Sequence, residues 1–525
     1  LGSIGIGHAA LGSMNSGIGN VAIGYAALGT EDDGDYNTAV GHQALTAQTG
    51  VSGEVANTAI GYQAGLAITT SIYNTLVGYH AGKSLTGGSG RSVFIGMRAG
   101  DAATLSHYNV GIGYDAMGSN QVGSHNIVVG GAAGFDLLGP ENVIIGSSAG
   151  ANLTTSSGSV AIGNNALTTA TTDKYGVAIG WEAMKLTPAG LALETTIAIG
   201  YRAMYGAGAT SGISGNVAIG SSAGYAITSG GNNVFLGYHA ARNVTAGSKN
   251  VIVGRHAGNK LASGSEDTYI GYGAGQYATG SNNTFVGSEA GQGGTTSAPY
   301  SSGGYNTALG YAALKAFTTT GGITAIGSYA LTANTSGTNT AVGYQALKDS
   351  TSNTQNTALG YNAGQNLTAN NNVAIGHQAT DNGTSATGNV SIGYRALRYN
   401  VTGDYNIAIG AEAGQGSNGN SHSYNVSIGH QSAKITTGDA NTSLGYQTLL
   451  RQTTGANNLA VGIQSGDLIV DGGSNTLLGS YTGRTITTGD DNVCVGKTAD
   501  VSTADAQNQI VIGQGATGTG DNETV

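Results

Sequence analysis

The chain lacks most of what builds an ordinary globular protein. Its 525 residues contain 1 cysteine, 3 prolines and 1 tryptophan. The single Cys494 excludes a disulfide scaffold and a cysteine-ligated zinc site. Charge is scarce: Lys, Arg, Asp and Glu together make up 9% of residues, against about a quarter in typical soluble chains. The formal net charge of −10 supplies no attraction to nucleic acid or to an anionic membrane. Gly, Thr, Ser or Asn interrupts every apolar stretch, so none reaches the ~20 residues of a membrane-spanning helix. Glycine is plentiful at 93 residues, but collagen needs it at every third position together with abundant proline. Disorder is excluded by an apolar content of 39% and by the regular recurrence of the aliphatic residues.

That recurrence is a repeat. Asn37-Thr-Ala-Val-Gly-His-Gln-Ala-Leu45 returns as Asn57-Thr-Ala-Ile-Gly-Tyr-Gln-Ala-Gly65 and again at Asn339–Leu347. Its central glycine anchors thirty copies from Gly7 to Gly513, among them Gly24, Gly41, Gly61, Gly220, Gly343 and Gly376. Eighteen of the 29 spacings are 17 residues and five are 16. No stretch lacks the motif, so residues 1–513 read as a single repeat domain. Residues 514–525 read as a polar tail, the start of a further segment.

Each repeat position has a physical reading. The residue before the anchor is Ile, Val or Leu in all thirty copies, and two residues earlier it is β-branched in 29. Stiff aliphatics at period 2 mark a short strand of four or five residues with both side chains on one face. The anchor glycine permits a backbone conformation closed to other residues. Ala occupies the third place after it in 26 copies, as expected at a tight corner. Single aliphatics such as Val244 and Ile486 suggest a second strand between corners. A unit this small cannot bury its own apolar face, whereas stacked units can. The fold class is therefore all-β, a parallel β-solenoid of about thirty 17-residue turns. At ~4.8 Å per strand it would extend roughly 140 Å. The Asn four places before the anchor, in 22 copies including Asn37, Asn57 and Asn339, reads as a ladder of side-chain amides bonded from turn to turn rather than as a ligand-binding array.

The residue between the two strand aliphatics should face water. It is nevertheless Ala in fourteen copies and Phe94, Ile144, Phe235 or Leu477 in others, and the three residues before the anchor carry no charge in any copy. Both faces of the strand are thus dry, and a homotrimer with the strand turned to a three-fold axis would cover them.

The phrase Asn-Val-Ala-Ile-Gly, at Asn216–Gly220 and Asn372–Gly376, resembles the repeat of trimeric autotransporter adhesin heads, which are trimerising parallel β-rolls. The longer Asn-Thr-Ala-Ile-Gly-Tyr form, with Thr-Thr-Gly turns at Gly438, Gly455 and Gly489, is similar to bacteriophage tail-fibre-like proteins. The resemblance covers the whole chain. It implies an extracellular fibre, on a virion tail or a cell surface.

Several constellations invite chemistry. Gly146–Gly150 and Gly220–Gly224 spell G-x-S-x-G, but each is an anchor with its corner alanine rather than a nucleophile elbow. His239 and His256 should stack in consecutive turns, with no carboxylate completing a metal set. Glu31-Asp32-Asp33-Gly34-Asp35 resembles part of a calcium loop but lacks its closing glutamate. Twelve tyrosines follow the anchor and seven precede the Asn, as a cover for corners and chain–chain seams rather than a sugar platform. The longest insertion, Gly291–Gly304, carries Pro299 and Tyr300 as a candidate recognition loop. No catalytic residue, metal or cofactor is expected.

The expected function is a non-enzymatic fibre shaft or adhesin that takes part in attachment. Its partners would be copies of itself and a surface glycan or protein receptor, without nucleic acid or membrane insertion. The alternative is a polysaccharide-degrading tailspike, which needs clustered carboxylates where the 28 acidic residues are scattered. Ice binding ranks lower, because Val373 and Val390 interrupt the threonine column of Thr340.

Overall fold

A computed structural model describes residues 2–49, 51–88, 90–105, 107–119, 123–186, 194–206, 213–294, 300–417, 419 and 421–525. The chain forms two compact units, Leu1–Asp267 and Thr268–Val525. In the first, fifteen three-residue strands run from Ile4–Ile6 to Val251–Val253; in the second, another fifteen run from Thr268–Ile270 to Ile510–Ile512. Within each unit every such strand pairs in parallel with the equivalent strand of the next repeat, giving about 28 complete turns for the thirty anchors. Register is strict: Val21, Ala22 and Ile23 face Thr38, Ala39 and Val40, and Thr324, Ala325 and Ile326 face Thr340, Ala341 and Val342. No helix occurs among the described residues. The architecture is a parallel β-solenoid.

The backbone of each turn is fixed by its neighbours. Val21 N–H donates to the Asn37 carbonyl at 2.8 Å, and Gly41 N–H donates back to the Ile23 carbonyl at 2.8 Å. The anchor must be glycine for two reasons. Gly24 has φ +132°, and a Cβ there would overlap the carbonyl oxygen of Gly41 in the next turn. Non-glycine residues also adopt left-handed conformations, at the fifth place before the anchor and the second and fourth after it, as in Tyr36 (φ 60°), Gln43 (φ 57°) and Leu45 (φ 52°). Such conformations carry strain and persist only where surroundings over-determine them. Here the stacking does so, since Gln43 N–H is held by the Tyr25 carbonyl at 2.8 Å and Gln63 N–H by the His42 carbonyl at 2.9 Å.

Three expectations need correction. The strand before each anchor is three residues long, not four or five. Val244 and Ile486 are buried but lie outside any strand. Away from the main strands the chain is mostly turns and bends. Among the described residues a second parallel pairing occurs only at Gly34–Asp35 with Gly53–Glu54 and at isolated bridges such as Ser157 with Lys174, although the backbone still bonds across turns, as in Thr245 N–H to the Ala262 carbonyl at 2.7 Å. The third concerns sidedness. Beyond the first strand, Ile4–Ile6, which is exposed throughout, the middle residue of each three-residue strand points into the core, so Ala22, Ala39, Phe94 and Phe285 are fully buried, and the flanking residues face outward. Residues 514–525 continue the winding, and their end lies parallel to the last strand, where Ile510 N–H donates to the Glu523 carbonyl at 2.9 Å and Ile512 N–H to that of Val525 at 2.8 Å.

The core is filled by complementary volumes. Where the strand centre is Ala, the fourth residue after the anchor is commonly long, as in Ala39 with Leu45, Ala178 with Met184 and Ala308 with Leu314, all fully buried. Where the centre is aromatic, that place is small. A Cβ on Gly100 would lie 2.8 Å from the Phe94 ring, and one on Gly275 would lie 2.6 Å from the Tyr269 ring. Close packing of a narrow interior allows one large group per layer.

Candidate functional site

The asparagine column is a structural ladder. Asn20 Oδ1 accepts the Asn37 backbone N–H at 2.8 Å, Asn37 Oδ1 accepts that of Asn57 at 3.0 Å, and Asn339 Oδ1 accepts that of Asn356 at 3.0 Å. The amide nitrogens donate inward: Asn57 Nδ2 reaches the Ser71 carbonyl at 2.8 Å and Gln48 Oε1 at 3.1 Å. Asn37 and Asn57 are fully buried and Asn339 nearly so. These side chains hold the turns together and offer no ligand a polar edge. The expectation of direct amide-to-amide bonding holds in part, for example between Asn74 Nδ2 and Asn57 Oδ1 at 3.0 Å. More often the acceptor of each amide is a backbone carbonyl one turn on, as in Asn20 Nδ2 to Gly34 O at 2.8 Å.

The outward face of the sheet runs the length of each unit's paired strands. Its two columns are the aliphatics flanking each strand centre, and many are exposed: Ile60, Ile145, Leu236, Leu309, Leu359 and Leu444, with Leu359 at 48%. Beside them runs the column that follows the anchor. There His8, Tyr25, His42, Tyr62 and Tyr79 form a continuous stack, with ring centroids 5.5, 4.9, 5.2 and 5.2 Å apart. A second stack runs through Tyr344, Tyr361, His377 and Tyr394 at 5.1, 5.1 and 5.4 Å. Because the rings lie against one another, each covers much of its neighbour's face and presents edges and hydroxyls outward. A sugar platform would need free faces. The tyrosines before the Asn form a separate row, in which the Arg91 guanidinium sits over the rings of Tyr73 and Tyr108 at 5.2 and 5.5 Å.

The chemical candidates are engaged in internal contacts. Glu31 is fully buried, its Oε1 accepts the Gly34 N–H at 2.8 Å and its Oε2 accepts Gln48 Nε2 at 2.5 Å. Asp35 Oδ1 accepts the Ile18 N–H at 2.8 Å. The acidic run is therefore a folded corner. His239 and His256 meet edge to face at 5.3 Å, and burial, with Arg242 and Arg255 beside His239 and Arg255 beside His256, pushes both below the ordinary imidazole value. Cationic neighbours disfavour a metal there, and no group of three ligating side chains occurs among the described residues. Ser148 and Ser222 sit in turns at φ 53° and 55°. Glu182 bridges Lys185 at 2.6 Å and Arg202 at 2.7 Å, and both hold its carboxyl below the usual range. Of the candidate recognition loop, Pro299 lies outside the described residues, while the Tyr300 ring stands 6.2 Å from that of Tyr277.

Two titratable groups that are at most 1% exposed, His422 and Asp173, carry no signal in the repeat consensus. Both occupy the seventh place before an anchor, where other turns have Gly438, Gly455 or Gly489. His422 is 1% exposed, neither ring nitrogen has a hydrogen-bond partner, and burial pushes its pKa down to about 4. Asp173 is fully buried beneath Gly176, which stands in the asparagine column. Burial pushes its pKa up to about 6, against the opposing pull of the Ser159 hydroxyl and the Lys174 and Gly176 N–H groups. Aligning the repeats by their anchors would expose both residues as outliers.

No helix is long and apolar enough to cross a membrane among the described residues. Neither a protein-family model nor a curated protein matches the chain.

Proposed function

We propose that the chain is a non-enzymatic structural shaft, part of a phage tail fibre or a cell-surface adhesin, that takes part in attachment to a host or surface. The observation that carries this reading is the unbroken, in-register stacking within each unit. Such a chain gives length and stiffness in proportion to its repeats, because each turn contacts only its neighbours. The candidate acids and histidines support it too, since they are engaged in ion pairs, capping bonds and ring contacts. The shaft works outside the cell as a homotrimer of identical chains sharing one axis, and its receptor is a surface glycan or protein. Incubation with candidate host polysaccharides tests the reading. Retention of intact polysaccharide is expected, whereas release of oligosaccharide would overturn it in favour of a tailspike.

A further inference from the structure

The two outward columns form a continuous uncharged surface in each unit, aliphatic throughout at the residue before the anchor and mixed Val, Ile, Leu and Thr two residues earlier, where Thr stands in eight of the fifteen strands of the second unit. Fifteen strands at about 4.8 Å, across the two residue steps between the columns at about 3.3 Å each, span on the order of 500 Å², and across the four steps from the first column to the aromatic row on the order of 900 Å². The largest apolar patch on a typical monomer is about 300–600 Å². A stable interface takes about 800 Å² from each partner. The columns alone thus match the largest patches of single chains, and together with the aromatic row the face reaches the area of a lasting interface. Its chemistry narrows the partner. The flanking positions hold only Val, Ile, Leu or Thr in all thirty repeats, in a chain whose net charge is −10. A charged partner finds no complement there, while two acidic copies can approach through it without opposing like charges. Its ridges also recur once per turn, and a partner fills the grooves along the whole length only if it carries the same repeat.

We propose that this face is the seam between copies of this chain, packed side by side with the outward columns interdigitated and the stacked Tyr and His rings along the rim. The inference rests on the self-association proposed above and names its surface. That surface differs from the one the sequence pattern suggested, because the strand centres already fill each chain's own core.

Sedimentation equilibrium of the full chain, with circular dichroism as a check on folding, tests the seam. The paired substitution Ile145→Lys with Ile219→Lys, and separately Leu309→Lys with Leu359→Lys, places ammonium groups on it. Thr155→Lys places one on an exposed bend away from the columns. The unmodified chain and Thr155→Lys are expected to sediment as oligomers, and both paired variants as the 51.8 kDa chain with an unchanged β signal. If a lysine pair unfolds, Ile145→Thr with Ile219→Thr is read instead, with association weakened at least about tenfold, or 1.4 kcal/mol. Paired variants that keep the oligomer mass would overturn the seam while leaving self-association standing. Equal loss of mass in Thr155→Lys would also overturn it, and a monomeric unmodified chain would overturn both.

Discussion

Asn57 Oδ1 takes two hydrogen bonds from Asn74, one from its backbone N–H at 2.8 Å and one from its amide at 3.0 Å. Such bonds carry the column from turn to turn in the buried interior, where an unpaired group is costly, and the Asn37 amide nitrogen is one such unpaired group.

Removing one rung leaves orphans on two turns. Asn475 Oδ1 accepts both the N–H and the amide of Asn492 at 3.0 Å, and its own amide reaches Asn458 Oδ1 at 3.0 Å and the Gly489 carbonyl at 2.9 Å. Asn475→Ala should cost about 2–4 kcal/mol locally. Faster amide hydrogen exchange confined to the adjacent turns is the expected readout, because a solenoid opens in segments rather than as a whole.

The anchor glycines should be far less tolerant than other glycines. Gly61 has φ +139° and a Cβ there would overlap the Gly78 carbonyl oxygen, whereas Gly53, at φ +89°, faces open space. Gly61→Ala is expected to lower the midpoint of urea unfolding by the equivalent of about 3 kcal/mol or more, and Gly53→Ala by about 1. Similar effects at the two sites would contradict the role of the anchor.

Core volumes should compensate in pairs. Phe94→Ala leaves a cavity and is expected to cost about 3–5 kcal/mol. Adding Gly100→Leu should recover much of that loss, since Leu28 and Leu45 already hold the same left-handed position at φ 47° and 52°. Gly100→Leu alone should destabilise, because the Phe94 ring occupies its space. A double-mutant cycle in urea measures the coupling.

His422 makes the second unit sensitive to acid. Its folded pKa, about 4, lies below the unfolded value of 6.5, so the folded state binds fewer protons. Stability from this group is therefore complete above pH 6.5 and is lost as pH falls from 6.5 towards 4, by about 3 kcal/mol. Hydrogen exchange around residues 400–430 should accelerate across that window. His422→Phe should remove that dependence.

Periodicity made the architecture legible, because thirty copies of one strand-and-glycine pattern admit few other folds. It left the sidedness of the strand open. In a parallel sheet with apolar residues at consecutive positions, alternation does not say which face is the core. The pattern therefore points Val40 inward and Ala39 outward, when the reverse holds. The deciding constraint is volume: Ala39 leaves room for Leu45, and Phe94 requires Gly100. That pairing joins residues six apart and shows only when centre and corner are compared repeat by repeat. Tyr25, Tyr62 and Tyr79 were legible as a row, but their mutual stacking depends on a ring orientation that spacing alone does not convey. His422 and Asp173 depart from the repeat, and departures stay silent when attention rests on the consensus.

Multi-angle light scattering of the unmodified chain tests the central claim most directly, that the outward apolar face is covered by copies of the same chain. A mass three times that of the 51.8 kDa chain is expected. A mass of 51.8 kDa, holding at micromolar concentration, would contradict it.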